Sequence, residues 1–353
     1  KEARAKYISE EIFGKLKCTE IFPGDILVSR LPDPVGRACI IPEKEERMIT
    51  AVDCTICRPN ESIISKEYLC YFMRSSAYYK KLLGSVTGTT RKRISRKNLG
   101  NVELEVPSKE RQMDVVEQLD CLVKVIESRK QELQLLDTLI KARFVEMFGS
   151  IHDGRFDMKT LLEIVNDDKN SIKRGPFGGA LKKEDFVEDG YLVYEQRHAI
   201  HNDFEYAKYY ITQEKYEGMI GFKVVPGDLI ISCSGVTLGR IAEVPEGAKE
   251  GIINQALLKL SLNPHIMMNT FFIQQFRGEE IQNILFGFSR GSGIPNMPSM
   301  SEVKAVKFIC PPLELQKEYC DFVHQVDKSK VVVQKALDET QILFNSLMQQ
   351  YFG

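Results

Sequence analysis

Along Lys109–Phe148, apolar residues recur at alternating steps of three and four. They are Val116, Leu119, Val123, Ile126, Leu133, Ile140, Phe144 and Met147, with Lys130 and Asp137 filling two slots. The stretch contains no glycine or proline and lies between Pro107-Ser108 and Gly149. This is a heptad seam with polar interruptions, and it predicts one long helix packed on a partner helix. At about 1.5 Å per residue it would reach roughly 60 Å, too long for the core of a compact domain. Ser108 suits the N-cap, and Gly149 the position after the C-cap. A second stretch, Leu313–Phe352, has the same character. It follows Pro311-Pro312, ends in Phe-Gly, and carries Tyr319, Phe322, Val326, Val333, Ala336, Leu343 and Leu347 on its seam, with Ser329 and Thr340 in the weak slots. The two helices read as copies that pair with each other. A further apolar set (Leu122, Leu135, Leu136, Leu139, Val331, Val332, Ile342) lies off the seam and needs a cover, either a partner protein or the base of the globules.

The segments around the helices repeat too. Tyr7-Ile-Ser returns as Tyr210-Ile-Thr, Pro23-Gly-Asp-Ile-Leu-Val-Ser as Pro226-Gly-Asp-Leu-Ile-Ile-Ser, Gly36-Arg37 as Gly239-Arg240, and Pro42-Glu43 as Pro245-Glu246. All keep an offset of 203 residues; Pro107 and its helix match Pro311 and its helix one residue out of step. A register held that long marks an internal duplication. Each copy reads as a Pro-Gly-Asp turn into a short strand, a close backbone approach at Gly-Arg, then a second β run (51–57; 251–261). An amphipathic helix (66–82; 269–285), a Gly-rich loop (84–93; 287–298) and a last strand (102–106; 306–310) follow. The predicted class is α/β, of the α+β kind: two similar mixed α/β domains and two long helices pairing as an antiparallel coiled coil. The expected domains are 1–107, the helix 108–149, 150–311, and the helix 312–353. Lys1 corresponds to about Phe204, so the first domain is expected to lack the counterpart of 151–203.

Composition narrows the classes. No apolar run approaches the ~20 residues of a membrane span, and the first residues do not read as a signal peptide. Nine scattered cysteines suit a reducing cytoplasm rather than a disulfide framework. Cys54-Thr-Ile-Cys57 is a lone CxxC, better read as buried strand cysteines than as a metal or redox site. The five histidines show no ligand spacing, and His198 and His201 are expected at the surface of a strand-to-loop edge. There is no phosphate-binding G-x-x-x-x-G-K-S/T loop and no methyltransferase Asn/Asp-Pro-Pro-Tyr/Phe string. Pro32-Asp33 with Glu43-Lys44-Glu45 faintly suggests a nuclease site, but the order of the last three residues is wrong for one. The net charge of −1 gives no global basic signal, so nucleic-acid contact must come from local patches.

The duplicated globule-plus-helix, the Pro-Gly-Asp strands and the terminus Arg143-Phe-Val-Glu-Met-Phe-Gly149 together resemble the specificity subunit of type I restriction–modification enzymes. Ile172-Lys-Arg-Gly-Pro-Phe-Gly-Gly-Ala-Leu181 is similar to the opening motif of that family's target-recognition domains. The resemblance implies a non-catalytic, sequence-specific DNA-binding subunit. Each globule would read one half of a split site in double-stranded DNA, and the paired helices would fix the gap. Two methyltransferase subunits would dock on the helices, with a restriction/translocase subunit as an optional further partner. The subunit itself would hold no cofactor; S-adenosylmethionine is expected on the methyltransferase. The rival readings are a two-lobed protein-interaction scaffold on a coiled-coil spacer, and an enzyme such as a cysteine hydrolase.

The residues supply candidates for the DNA contacts. Thr87, Thr89, Thr90, Arg91, Lys92 and Arg93 belong to a loop rich in cations and small polar groups that suits a phosphate backbone or a base edge. A solvated basic loop is the plainer reading of the same residues. The matching loop of the second copy offers Arg290 and Ser292. Lys173, Arg174, Lys182 and Arg197 are candidates for phosphate or guanine. Arg30 in the first copy, and Ser234 and Thr237 in the second, follow the Pro-Gly-Asp strand and differ where the scaffold agrees. Asn254 and Gln255 could bond adenine bidentately, or bond buried backbone instead. Arg37 and Arg240, present in both copies, favour structure or phosphate.

Overall fold

The computed structural model describes residues 6–16, 18–31, 34–50, 52–84, 93–287 and 295–353. The chain forms two compact units, Lys1–Leu133 with Val332–Gly353, and Gln134–Val331. Both units therefore take part of each 40-residue helix, α5 (Lys109–Phe148) and α12 (Leu313–Phe352). In the first unit the start of α5 lies beside the end of α12: the Tyr351 hydroxyl donates to Gln118 Oε1 at 2.7 Å and Arg111 sits over the Tyr351 ring. In the second unit the end of α5 lies beside the start of α12, with Tyr319 donating to the Ile140 carbonyl at 3.2 Å and Lys330 paired with Asp137 at 2.8 Å. The pairing is antiparallel in both. Ser108 Oγ accepts from the Arg111 amide, and Gly149 takes the left-handed turn, φ +68°, that ends α5.

The first unit opens with α1 (Glu10–Leu16) and the two-stranded antiparallel pair β1 (Glu20–Ile21) and β4 (Met48–Ile49). Its three-stranded antiparallel sheet runs β3 (Ala38–Ile40), β2 (Ile26–Ser29), β5 (Cys54–Cys57). Helices α2 (Lys66–Phe72), α3 (Ser76–Leu83) and α4 (Arg96–Gly100) complete it. The region expected as one helix over 66–82 is two, because Ser75 starts a new N-cap by accepting from the Tyr78 amide. Tyr78 is 1 % exposed and its hydroxyl finds no partner among the described residues, whereas its counterpart Ile281 has no hydroxyl to satisfy. Tyr78→Phe is expected to leave stability unchanged or raise it by about 1 kcal/mol. A thermal unfolding midpoint clearly below wild type would show that the hydroxyl has a partner after all.

The second unit begins with β6 (Met158–Thr160), α6 (Leu161–Ile164), β7 (Ile172–Arg174), β8 (Tyr191–Tyr194), α7 (Gln196–His201) and β9 (Tyr210–Ile211). The repeat then takes over: α8 (Gln213–Gly218), β10 (Lys223–Val224), β11 (Leu229–Ser232), β12 (Ile241–Glu243), β13 (Gly251–Ile253), β14 (Leu257–Leu260), α9 (Asn269–Arg277), α10 (Glu279–Phe286), α11 (Met300–Ala305) and β15 (Lys307–Ile309). The sheet β12-β11-β14 repeats β3-β2-β5 strand for strand, and β10-β13 repeats β1-β4. The added block extends both sheets: β7 joins β14, and β8 lies parallel to β13, with the repeat's own β9 on its other edge. The β run expected over 251–261 is two strands in different sheets, broken at the Asn254-Gln255 turn. The helix expected over 269–285 breaks at Gly278, as its sibling does at Ser75.

One predicted strand does not form. Residues 102–106 make no ladder, although β15, their counterpart, does. β15 is held on one side by β6 and on the other by the buried Gln275, which exchanges two hydrogen bonds with Ile309. In the first copy Phe72 stands at the position of Gln275 and offers this segment no hydrogen bond. A strand without partners for its backbone does not hold.

The helix seams are largely as expected, with Leu119, Ile126, Ile140, Tyr319, Val326 and Val333 buried. Leu343 is the exception, 49 % exposed; the packing there runs through Leu337 and Phe344 together with the expected Leu347. The drift between 3.6 and 3.5 residues per turn accounts for such a shift. The helix termini are the strongest anchors. Phe148 packs on Phe271 at 4.9 Å in the second unit, and Phe352 packs on Tyr68, the residue equivalent to Phe271, at 5.1 Å in the first. Of the off-seam set, Leu135, Leu139, Val331, Val332 and Ile342 are exposed, while Leu136 covers the second unit's core.

Candidate nucleic-acid interface

The two Pro-Gly-Asp turns are built alike, bond for bond. Gly24 and Gly227 adopt φ of +87° and +85°. The Asp25 carboxylate accepts from the Phe22 amide at 3.0 Å, as Asp228 does from Val225 at 2.9 Å. The Ser29 and Ser232 amides donate to Arg37 and Arg240 carbonyls, both at 2.8 Å. Gly36 and Gly239 also have positive φ; a Cβ there would meet Leu82 or Phe286 in the helix behind. Arg37 and Arg240 themselves are exposed. Differences begin where the scaffold allows them. Buried Asp25 pairs bidentately with Arg58 at 2.6 and 2.8 Å, and that guanidinium holds its carboxyl below the usual range. In the second copy Ser261 replaces Arg58, donating to Asp228 at 2.5 Å, and Lys259 lies 3.7 Å away.

Sequence reasoning overlooked two devices that occur in both copies. Gln112 and Gln316, both fully buried, stand in the first turns of α5 and α12. Gln112 accepts from the Ser65 amide and donates to the Ile63 and Pro107 carbonyls; Gln316 accepts from Met268 and donates to Ile266 and Pro311. Ser65 and Met268 are the N-cap residues of α2 and α9, so each glutamine ties a long helix to its globule. Arg74 and Arg277 bond equivalent carbonyls, Ala38 and Ile241. Arg74 and Arg277 recur at the offset of 203, and Gln112 and Gln316 one residue out of step with it, as their helices do; that was the available signal.

The strand ends that face away from those turns gather the polar candidates of the second unit. The Cys233 amide donates to Ala256 O at 2.8 Å, rooting the loop after β11 to the Asn254-Gln255 turn. Gly175, just past β7, packs so closely on that turn that a Cβ would stand 1.8 Å from the Asn254 carbonyl oxygen. Gln196, at the start of α7, donates to Ser234 Oγ at 2.7 Å. Arg174, Gln196, Ser234, Thr237, Asn254 and Gln255 thus share one end of the sheet. Gln196 was not among the sequence candidates. Asn254 is engaged with the Ala256 amide, whereas Gln255 is exposed. Arg174 lies over exposed Phe177, and its Nε is buried without a partner among the described residues.

The other candidates are placed differently. Lys173 is adjacent to Arg174 on β7, so it faces the opposite side of the sheet, its ammonium 4.8 Å from the Phe222 ring centre. Lys182 pairs with Glu184, and Arg197 lies over Tyr206 with Asp203 at 3.4 Å. In the first unit Arg30 donates to the Ile94 and Val52 carbonyls, bracing its loop from within, and Arg93 pairs with Asp53. Thr87, Thr89, Thr90, Arg91, Lys92, Arg290 and Ser292, with Pro32 and Asp33, lie outside the described residues. His198 is not on the surface as expected: it is fully buried in α7, with Nδ1 3.0 Å or less from Glu195 backbone atoms and Nε2 2.9 Å from the Tyr206 carbonyl. All nine cysteines are free, and burial pushes the Cys233 thiol up to about 12. Among the described residues no cluster could hold a metal, and no helix is long and apolar enough to cross a membrane.

Matched α/β scaffolds with unlike loops, and antiparallel pairing of the long helices within each unit, define a duplicated architecture. The type I restriction modification DNA specificity domain matches residues 3–138 and 176–340. The chain belongs to that family. It is 23% identical over 318 residues to the type I restriction enzyme StySPI specificity subunit of Salmonella potsdam, covering 84% of this chain but only 65% of that relative's length. Two solved structures share the fold at 16% identity. One comes from a study of assembly and conformational transition in a type I restriction–modification system (TM-score 0.60, 95% of this chain, 83% of that one). The other is the type I S subunit of M. genitalium (TM-score 0.53, 94% of this chain, 83% of that one).

Proposed function

We propose that this chain is the DNA-reading subunit of a type I restriction–modification complex and works by binding, not catalysis. The observation that carries the reading is the matched hydrogen-bonded scaffold of the two lobes combined with different chemistry at their loop ends. Each lobe reads one half of a split, asymmetric site in double-stranded DNA, and the paired helices set the interval. The exposed apolar residues Leu135, Leu139, Val331, Val332 and Ile342 offer a docking face to two methyltransferase subunits. Those subunits carry S-adenosylmethionine and methylate adenine; a restriction/translocase subunit is an optional addition, and the assembly works in the cytoplasm.

The test is binding of the assembled complex to duplex DNA at about 50 and about 200 mM salt. Four phosphate contacts would lower affinity about a hundredfold across that range. Affinity that ignores salt would favour a protein-interaction scaffold. Arg91→Ala combined with Arg93→Ala should weaken or relax the choice of one half-site and leave the other intact, read by mapping methylated adenines. An unchanged methylation map would remove both residues from the reading set.

A further inference from the structure

Val236 and Val52 are the two most exposed large apolar residues among those described, at 99 % and 82 %. Single exposed apolar side chains are ordinary, so what sets these two apart is their place on the loops that carry the polar candidates and a backbone that fixes them there. Both are held. Val236 sits on the loop after β11, whose Gly235 takes φ +79° and donates to Pro295 O at 2.9 Å, while Cys233 is bonded both ways, to Ala256 and Met297. Val52 sits on the turn before β5, where Arg30 fixes the backbone twice, through its amide to Asp53 O at 2.8 Å and its guanidinium to Val52 O.

The repeat register relates the two positions crosswise. Opposite Val52 stands Gln255, and opposite Val236 stands Asp33. In the second lobe the apolar tip and the exposed Gln255 stand on two loops tied together through Cys233 and Ala256, whereas Asp33 lies outside the described residues. In the major groove the thymine C5-methyl is the apolar feature, and it lies beside acceptors and donors that amides and carboxylates read.

The geometry points to Val236 and Val52 as specificity-determining residues that each contact a thymine methyl group in their own half-site, with exposed Gln255 of the second lobe bonding an adenine. This rests on the DNA-reading function proposed above. It is tested with the assembled complex on its selected site, replacing thymidine by deoxyuridine in each half in turn. Loss of one buried methyl should weaken wild-type binding about fourfold in either half. Val236→Ser should abolish the thymidine–deoxyuridine difference in one half only, and Val52→Ser in the other. Both side chains are exposed, so the unfolding midpoints should match wild type. Equal wild-type affinity for both bases, or a difference that survives both substitutions, overturns the methyl contacts while leaving DNA reading in place. Absence of any sequence selection overturns both.

Discussion

Gln112→Leu is expected to destabilise the first unit by about 4 kcal/mol, far beyond an ordinary surface change. The substitution keeps most of the side chain's volume but leaves the Ser65 amide and the Ile63 and Pro107 carbonyls without their partner. Because Ser65 also caps α2, the loss reaches both the long helix and the globule. Gln112→Glu separates bonding from packing. It preserves the acceptor for Ser65 but sets a carboxylate against two carbonyl oxygens, so it should be no milder than leucine. Gln316→Leu should do the same to the second unit through Met268, Ile266 and Pro311. Urea unfolding followed by hydrogen exchange would report this. A loss under about 1 kcal/mol for both variants would reduce the glutamines to filler.

Gly175→Ala should produce the second large effect, about 3 kcal/mol against the second unit together with loss of its half-site preference. A methyl at this position would stand 1.8 Å from the Asn254 carbonyl oxygen and 2.5 Å from its carbon. Backbone cannot give way as a flexible side chain does, so the end of β7 must part from the Asn254-Gln255 turn. That turn is rooted to the Ser234–Thr237 loop through Cys233, and the shift would carry the proposed reading residues with it. Methylated-adenine mapping should show one half-site relaxed and the other kept. Retention of both preferences at wild-type stability would mean that the turn does not position the readers.

How much of this was legible differs by level. The offset of 203 residues is visible in the letters because equivalent backbone turns demand the same residues: Gly24 and Gly227 for a positive φ, Asp25 and Asp228 for the amide three residues earlier. The long helices are legible because freedom from glycine and proline, plus a steady apolar period, leaves few alternatives. Site candidates were harder. Residue type marked Arg30 as a contact, but only coordinates show its guanidinium turned to the Ile94 and Val52 carbonyls. Lys173 and Arg174 are neighbours in sequence yet face opposite sides of β7. His198 read as a surface residue and is core, because two backbone partners meet its ring nitrogens.

By itself the sequence determined the duplication, the paired helices and the class of protein, since repeats, periodicity and turn chemistry are local and survive in one dimension. The tertiary structure decided what depends on partners distant in the chain. It showed that 102–106 makes no ladder while β15 is held by β6 and by Gln275, whose place Phe72 takes in the first copy. It also showed that Gln112 and Gln316 bolt helix to globule, and that Val236 and Val52 stand out on loops that are not each other's counterparts. Backbone hydrogen bonds and exposure are properties of neighbours in space, and no window of the chain contains them.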